Sequence, residues 1–214
     1  MKKGWNEISK AGAFIITSLV LIVIGGIILA TNEKVAFHKE INSYHNEFFD
    51  SFFQYWTYVG DGIVIPVLMV LIGVFSIKKY GLSVLIAGLS TLILVGGLSQ
   101  IFKRLIYGDA LRPYKLIGHD QLYYVPGLKV HSVHSFPSGH TTAGFAFFAI
   151  IACVYFSKNR LTQIILAFLA ALVGYSRMYL SQHFLEDVVS GACLGIFCFA
   201  VVFFIKGMAS KKAV

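Results

Sequence analysis

Long apolar runs, separated by short polar breaks, set the pattern of this chain, and within each run the apolar residues are continuous rather than alternating. Continuous runs of about 20 residues suit helices that cross a bilayer, whereas a membrane barrel needs alternation. The pattern predicts six such helices, at about residues 11–30, 62–77, 82–106, 143–156, 162–179 and 184–205, with Pro66 as a kink near the start of the second. The expected fold is therefore all-α, an integral membrane bundle of six transmembrane helices in one domain over residues 1–214. The interval 31–61 breaks the pattern. It mixes Glu33, Lys34, Lys39, Glu40, Glu47 and Asp50 with Phe48, Phe49, Phe52, Phe53, Tyr55, Trp56 and Tyr58. That mixture reads either as an amphipathic helix lying at the lipid interface after the first span or as a loop packed on the bundle.

Composition agrees: 57% hydrophobic residues, 13% charged residues and a mean hydropathy of +0.75 exclude an ordinary soluble domain. Lys2, Lys3 and Lys10 ahead of an apolar run resemble a signal peptide, but residues 11–30 offer no small-x-small cleavage site and read as the first span. Cys153, Cys193 and Cys198 lie inside apolar runs without the paired spacing of a zinc or redox motif, which leaves them packing as small residues.

The net charge of +8 does not imply nucleic acid, because the basic residues fall at helix ends instead of forming one stripe. With six spans both termini share a side, which collects Lys2, Lys3, Lys10, Lys78, Lys79, Lys158, Arg160, Lys206, Lys211 and Lys212 against the single acid Glu7. By the positive-inside rule that side is cytoplasmic. The opposite, outer side then receives the connection 107–135, the mouth of the fourth helix and the turn between the last two.

Three polar clusters fall on that outer side. Pro137-Ser138-Gly139-His140 precedes an apolar run; proline suits a first helical turn and glycine admits a ligand to the backbone, so free N–H groups, a hydroxyl and an imidazole are presented together. Lys103-Arg104 and Arg112-Pro113 flank a loop and combine a point charge with forked donors, as a phosphate clamp does. Ser176-Arg177 precedes His183 and Asp187. Those last two are four residues apart on one helical face, where the carboxylate holds one imidazole nitrogen and leaves the other free as a nucleophile. Six residues on an uninterrupted helix would turn Arg177 away from His183, so Ser181-Gln182 is read as a break that folds them together. Each cluster alone also has a plain reading: a helix-mouth ion pair for His183 and Asp187, snorkelling to lipid phosphates for Arg177. His38, His45, His119, His131 and His134 have no comparable spacing and are read as surface or loop residues.

Taken in order, Lys...Arg-Pro, Pro-Ser-Gly-His and Ser-Arg-x5-His-x3-Asp resemble the motifs of the type 2 phosphatidic acid phosphatase (PAP2) superfamily, over residues 103–187. The resemblance implies a phosphohistidine formed on His183, with Asp187 orienting it and His140 as general acid. It implies that Lys103, Arg112, Ser138, Gly139 and Arg177 bind the phosphate, with no metal or other cofactor. It further implies a lipid phosphate substrate taken from the bilayer, such as undecaprenyl pyrophosphate, phosphatidylglycerol phosphate, phosphatidic acid or a lipid A phosphate. The expected setting is a bacterial inner membrane with the site facing the periplasm or exterior. A phosphotransferase using the same intermediate and a non-catalytic lipid-phosphate carrier are the alternatives. One departure concerns the first motif: eight residues separate Lys103 from Arg112 where the family usually has six. An insertion among residues 108–111 keeps Lys103 in register; otherwise Arg104 takes its place. Nothing in the sequence specifies an oligomeric state.

Overall fold

A computed structural model of the protein describes residues 1–209; Lys211 and Lys212, counted above among the basic residues, lie outside the described residues. In chain order the helices are α1 (Lys2–Ile8), α2 (Gly12–Thr31), α3 (Lys34–Ser43), α4 (Glu47–Trp56), α5 (Val64–Tyr80), α6 (Leu82–Ile101), α7 (Pro113–Ile117), α8 (Gly139–Tyr155), α9 (Arg160–Tyr179) and α10 (Leu185–Ala209). The fold is all-α, with no strand among the described residues.

The expected count of six spans is not what the structure holds. Four helical segments are long and apolar enough to cross a membrane, Lys2–Thr31, Leu82–Ile106, Arg160–Tyr179 and Leu185–Ala209. A fifth is reached if Glu47–Gly60 and Val64–Tyr80, bent 62° apart, are one broken span. Two apolar runs account for the difference. The run at 143–156 forms α8, whose 17 residues extend about 25 Å, short of a hydrocarbon core of about 30 Å. The run at 62–77 forms α5, also of 17 residues, which reaches span length only together with α4. A buried core helix and a lipid-facing one share the same apolar composition, so the runs alone do not separate them. The chain is a multi-pass integral membrane protein with fewer spans than its apolar runs suggested.

α8 is the axis of the bundle, packed against α10, α9 and α6, and every residue from Thr141 to Ile150 is buried. The approach of α10 is close because two glycines face α8. A Cβ on Gly195 would stand 2.4 Å from the Thr142 carbonyl oxygen, and one on Gly191 would stand 2.7 Å from the Ser138 carbonyl oxygen. Small residues four apart let helix backbones meet in this way.

Contacts also sort the molecule into two ends. At one, Glu7 pairs with Lys206 and Lys10, Cys153 Sγ donates to the Glu7 carbonyl, and Gln163 Nε2 donates to the carbonyls of Lys10 and Phe156. Ser76 and Tyr155 share a hydrogen bond there as well. The opposite end holds the loops around α7, the turn between α9 and α10, and the segment containing α3 and α4.

That segment packs on the bundle. Glu33 caps α3 by accepting from the Val35 and Ala36 N–H groups, and Asn46 caps α4 by accepting from Phe49. Asn42 clasps the Tyr123 backbone through both amide atoms and donates to Ser181 Oγ. Asp50 accepts from the hydroxyls of Tyr179 and Tyr123 and lies 2.9 Å from His45 Nδ1. His38, expected in a surface or loop position, is instead buried, 3.2 Å from Ser181 Oγ and edge-on to Phe184. Burial pushes its imidazole down to about 4. The outer face of α4 leaves Phe48, Phe49 and Tyr55 exposed, in keeping with an aromatic belt at a membrane interface.

Candidate active site

The turn from α9 to α10 creates the centre of the site. Ser181, at φ 51°, adopts a left-handed conformation, and the N–H groups of Gln182 and His183 both donate to the Arg177 carbonyl. The break expected at Ser181-Gln182 therefore exists, and it carries His183 back toward Arg177. His183 lies in the turn itself, two residues before α10 begins.

Asp187, on the first turn of α10, reaches back to that turn. Its Oδ2 accepts from His183 Nδ1 at 3.2 Å, from the Phe184 N–H at 2.9 Å and from the Ser135 hydroxyl. His183 and Asp187 are each 1% exposed. Three donors on one carboxylate oxygen stabilise its charge and fix the histidine tautomer, leaving Nε2 with a free lone pair. Burial, followed by the charges of Arg112, Lys103 and Arg177, holds His183 well below the ordinary histidine range. Its imidazole is thus neutral at pH 7, the state a nucleophile needs.

Ser138 ties this turn to α8. Its N–H donates to the Asp187 carbonyl at 2.9 Å, and its hydroxyl, as N-cap of α8, accepts from Thr141 Oγ1 at 2.9 Å and from the Thr141 N–H at 3.4 Å. The backbone donor expected from Ser138 is thereby already used, and its hydroxyl proton remains to be given. Pro137 follows a cis peptide bond and stands before the helix, not in its first turn. The donors left open at the helix mouth are the N–H groups of Gly139 and His140, which have no acceptor among the described residues.

Three cations surround this mouth. α6 ends in one wide π-turn over Phe102–Ile106, which brings Lys103 Nζ to 3.6 Å from where a Cβ on Gly139 would stand. Arg104 instead donates to Gln100 on the exposed face, so Lys103 and not Arg104 stands at this mouth. Arg177 is buried and makes one side-chain hydrogen bond, from Nη1 to Thr57 Oγ1 at 2.6 Å, while its Nε has no partner. Neither Lys103 nor Arg177 has a carboxylate within ion-pair distance among the described residues. Arg112 is committed differently. It donates to the carbonyls of Val133, Gln182 and His134, so three of its five donors pin the 107–135 loop to the His183 turn.

A cleft of about 280 Å³ opens from this mouth between α5, α6 and α8. Lys103, Gly139 and His140 line its polar end; Ile65, Leu92, Val95 and Ala143 line the rest. Three residues contribute that the sequence patterns did not single out: Ser135 on Asp187, Thr57 on Arg177, and Asp61, whose Oδ2 is 3.8 Å from His140 Nε2. Asp61 sits in the Gly60-Asp61-Gly62 break and Ser135 adjoins the Pro-Ser-Gly-His motif, both visible as polar positions beside apolar runs. Thr57 carried no signal.

A helical membrane bundle that closes a buried His–Asp pair beneath unpaired cations and an open helix mouth defines a membrane protein with an internal anion site. The chain belongs to the PAP2 superfamily, whose family model matches residues 80–211. It is 38% identical over 87 residues to phosphatidylglycerophosphatase B of Bacillus subtilis, covering 37% of this chain and 41% of that protein. It is 32% identical over 128 residues to a lipid A 1-phosphatase of Rhizobium johnstonii, covering 58% of this chain and 49% of that one. The matched stretches thus span less than half the length of these relatives. The crystal structure of Aquifex aeolicus LpxE superposes with a TM-score of 0.60 at 27% identity, over 79% of this chain and 93% of the other.

Proposed function

We propose that this protein is a lipid phosphatase that removes phosphate from a lipid phosphomonoester or pyrophosphate through a phosphohistidine on His183. One observation carries the reading: Lys103 stands beside Gly139 at the open N–H groups of Gly139 and His140, the buried Arg177 acts electrostatically on His140, neither cation has a carboxylate within ion-pair distance among the described residues, and a buried His183 held by Asp187 adjoins them. Holding the buried Arg177 and the half-buried Lys103 with no carboxylate in ion-pair distance is costly, and a phosphate supplies the missing charge. His183 Nε2 attacks phosphorus, and the bond to the lipid oxygen breaks as that oxygen takes a proton from His140. Lys103, Arg177, Ser138 and the N–H groups of Gly139 and His140 stabilise the equatorial oxygens in the transition state. Arg112 joins with its two remaining donors while holding the loop. Water, deprotonated by His140, then attacks the phosphohistidine and the P–N electron pair returns to His183.

The apolar length of the cleft between α5, α6 and α8 favours a lipid tail entering sideways from the bilayer. The names of the relatives favour a phosphatidylglycerol phosphate or a lipid A phosphate within this substrate class. Lys2, Lys3, Lys10, Lys158 and Lys206 gather at the end opposite the site, which supports a cytoplasmic basic end and a site open to the periplasm or exterior of a bacterial inner membrane.

The direct test is phosphate release by purified protein in detergent with EDTA, across a panel of lipid phosphates, beside His183→Ala. The expected result is release that EDTA leaves intact and the substitution abolishes. Activity lost to EDTA, or kept by the variant, refutes the histidine mechanism; phosphate appearing on an added acceptor alcohol in place of water identifies a transferase.

A further inference from the structure

Asp61 lies outside the residues that match the family model, yet its carboxylate is set against the proton donor of the site. Resting on the phosphatase reading above, we propose that Asp61 is the positioning residue of His140, holding its Nε2 side and its positive charge so that Nδ1–H protonates the departing lipid oxygen.

The local backbone is built for that placement. Gly60 lies directly against α8: a Cβ there would stand 2.7 Å from the His140 carbonyl oxygen and 3.0 Å from its Cβ. Asp61 is fixed in turn, because its Oδ1 accepts from the Ile63 and Val64 N–H groups at 2.8 and 3.2 Å at the entry to α5. That leaves Oδ2 to face His140 Nε2 at 3.8 Å. This is ion-pair range and longer than a hydrogen bond, as catalytic contacts often are before substrate arrives.

The surroundings of His140 oppose its proton. Burial first, then the charge of Arg177 from α9, with the His183 turn, Lys103 from α6 and Arg112 from the 107–135 loop acting in the same sense, holds its imidazole well below the ordinary histidine range. Asp61 is the acid within ion-pair range of it among the described residues. A carboxylate on the Nε2 side offsets part of that opposition and favours the protonated form a general acid uses. The proton balance follows directly. In the first step the P–O bond breaks and its electron pair takes the Nδ1 proton, leaving His140 neutral. In the second, water gives a proton to His140 Nδ1 as its oxygen bonds to phosphorus and the P–N bond breaks, its electron pair returning to His183, and Asp61 again faces an imidazolium.

A second role for Asp61 is balancing Arg177, within whose electrostatic range it lies. Asp61→Asn keeps the cap on Ile63 and Val64 and loses only the charge, and the dependence of its effect on the leaving group then separates the two roles. The experiment compares wild type, Asp61→Asn and His140→Ala on a lipid alkyl phosphate and on p-nitrophenyl phosphate, whose leaving group needs little protonation. Expected for Asp61→Asn is a drop in kcat on the alkyl phosphate of about 10- to 100-fold. The loss on the aryl ester stays small, and the alkaline limb of the pH profile moves to lower pH. Equal losses on both substrates, or a raised KM with kcat unchanged, overturn the proposal in favour of the Arg177 role. An NMR titration of the labelled histidines gives a readout that needs no turnover. The His140 midpoint falls in Asp61→Asn if the proposal holds and stays in place if it does not. Wild type inert on both esters while that midpoint moves refutes the phosphatase reading and leaves the pairing standing.

Discussion

Asp187 shows how much of the site depends on single atoms. Its Oδ2 gathers the His183 imidazole, the Phe184 N–H and the Ser135 hydroxyl inside a region closed to water. A charge-assisted hydrogen bond to a buried carboxylate contributes about 1.5–3 kcal/mol, and its loss leaves the carboxylate less able to hold the histidine. Ser135→Ala is therefore expected to lower kcat by about tenfold, with KM little changed because Ser135 touches no phosphate donor. Steady-state kinetics on a lipid phosphate that the wild type hydrolyses checks this; an unchanged kcat removes Ser135 from the machinery. The His183–Asp187 pairing was legible from the four-residue spacing, although His183 sits in the turn before α10 and Asp187 reaches back to it, so the two do not share a helical face as expected. Ser135, Thr57 and Asp61 were not, since each reaches its partner across at least 48 residues of chain, and a spacing rule carries no information at that range.

The bounds of the main helices followed from the apolar runs, and the bend at Ser181 from the polar Ser181-Gln182 between Arg177 and His183, whereas the closeness of α8 and α10 did not follow, although Gly191 and Gly195 are plainly four apart. These glycines matter because α10 carries Asp187 and α8 begins with the open N–H groups of Gly139 and His140; their crossing sets the distance between the proposed nucleophile and the donors proposed to hold phosphate. A methyl group on Gly195 meets the Thr142 carbonyl, a backbone atom fixed in α8, at 2.4 Å. Gly195→Ala has to push the helices apart, at a cost of about 1–3 kcal/mol. Its melting temperature in detergent is expected to fall together with its activity. Gly12→Ala serves as the control, because open space surrounds that position. A Gly195→Ala protein as stable and active as wild type would show that the crossing tolerates expansion. The span count failed at this same scale: α8 is apolar because the other helices enclose it, and a sequence window does not distinguish neighbouring helices from lipid.

Sidedness can be argued from packing without counting spans. Glu7 joined to Lys206 and Gln163 joined to Lys10 bring the chain's beginning, the α8–α9 turn and the far part of α10 to one end. Arg112, His183 and the α3–α4 segment occupy the other. Under the proposed reading, a phosphatase that draws lipid from the outer leaflet has its second end facing outward, and the excess of lysine at the first end agrees with a cytoplasmic placement of that end by the positive-inside rule. Single cysteines at His119, exposed on the outer loop, and at Lys158, exposed in the α8–α9 turn, report each end separately. The background replaces Cys193, the exposed native thiol among the described residues. With a membrane-impermeant maleimide on intact spheroplasts, the cysteine at 119 is expected to label at once and the one at 158 only after lysis. The reverse order would place the anion site in the cytoplasm, and the substrate would then have to come from the inner leaflet. Labelling of both before lysis would contradict the packing that separates the two ends.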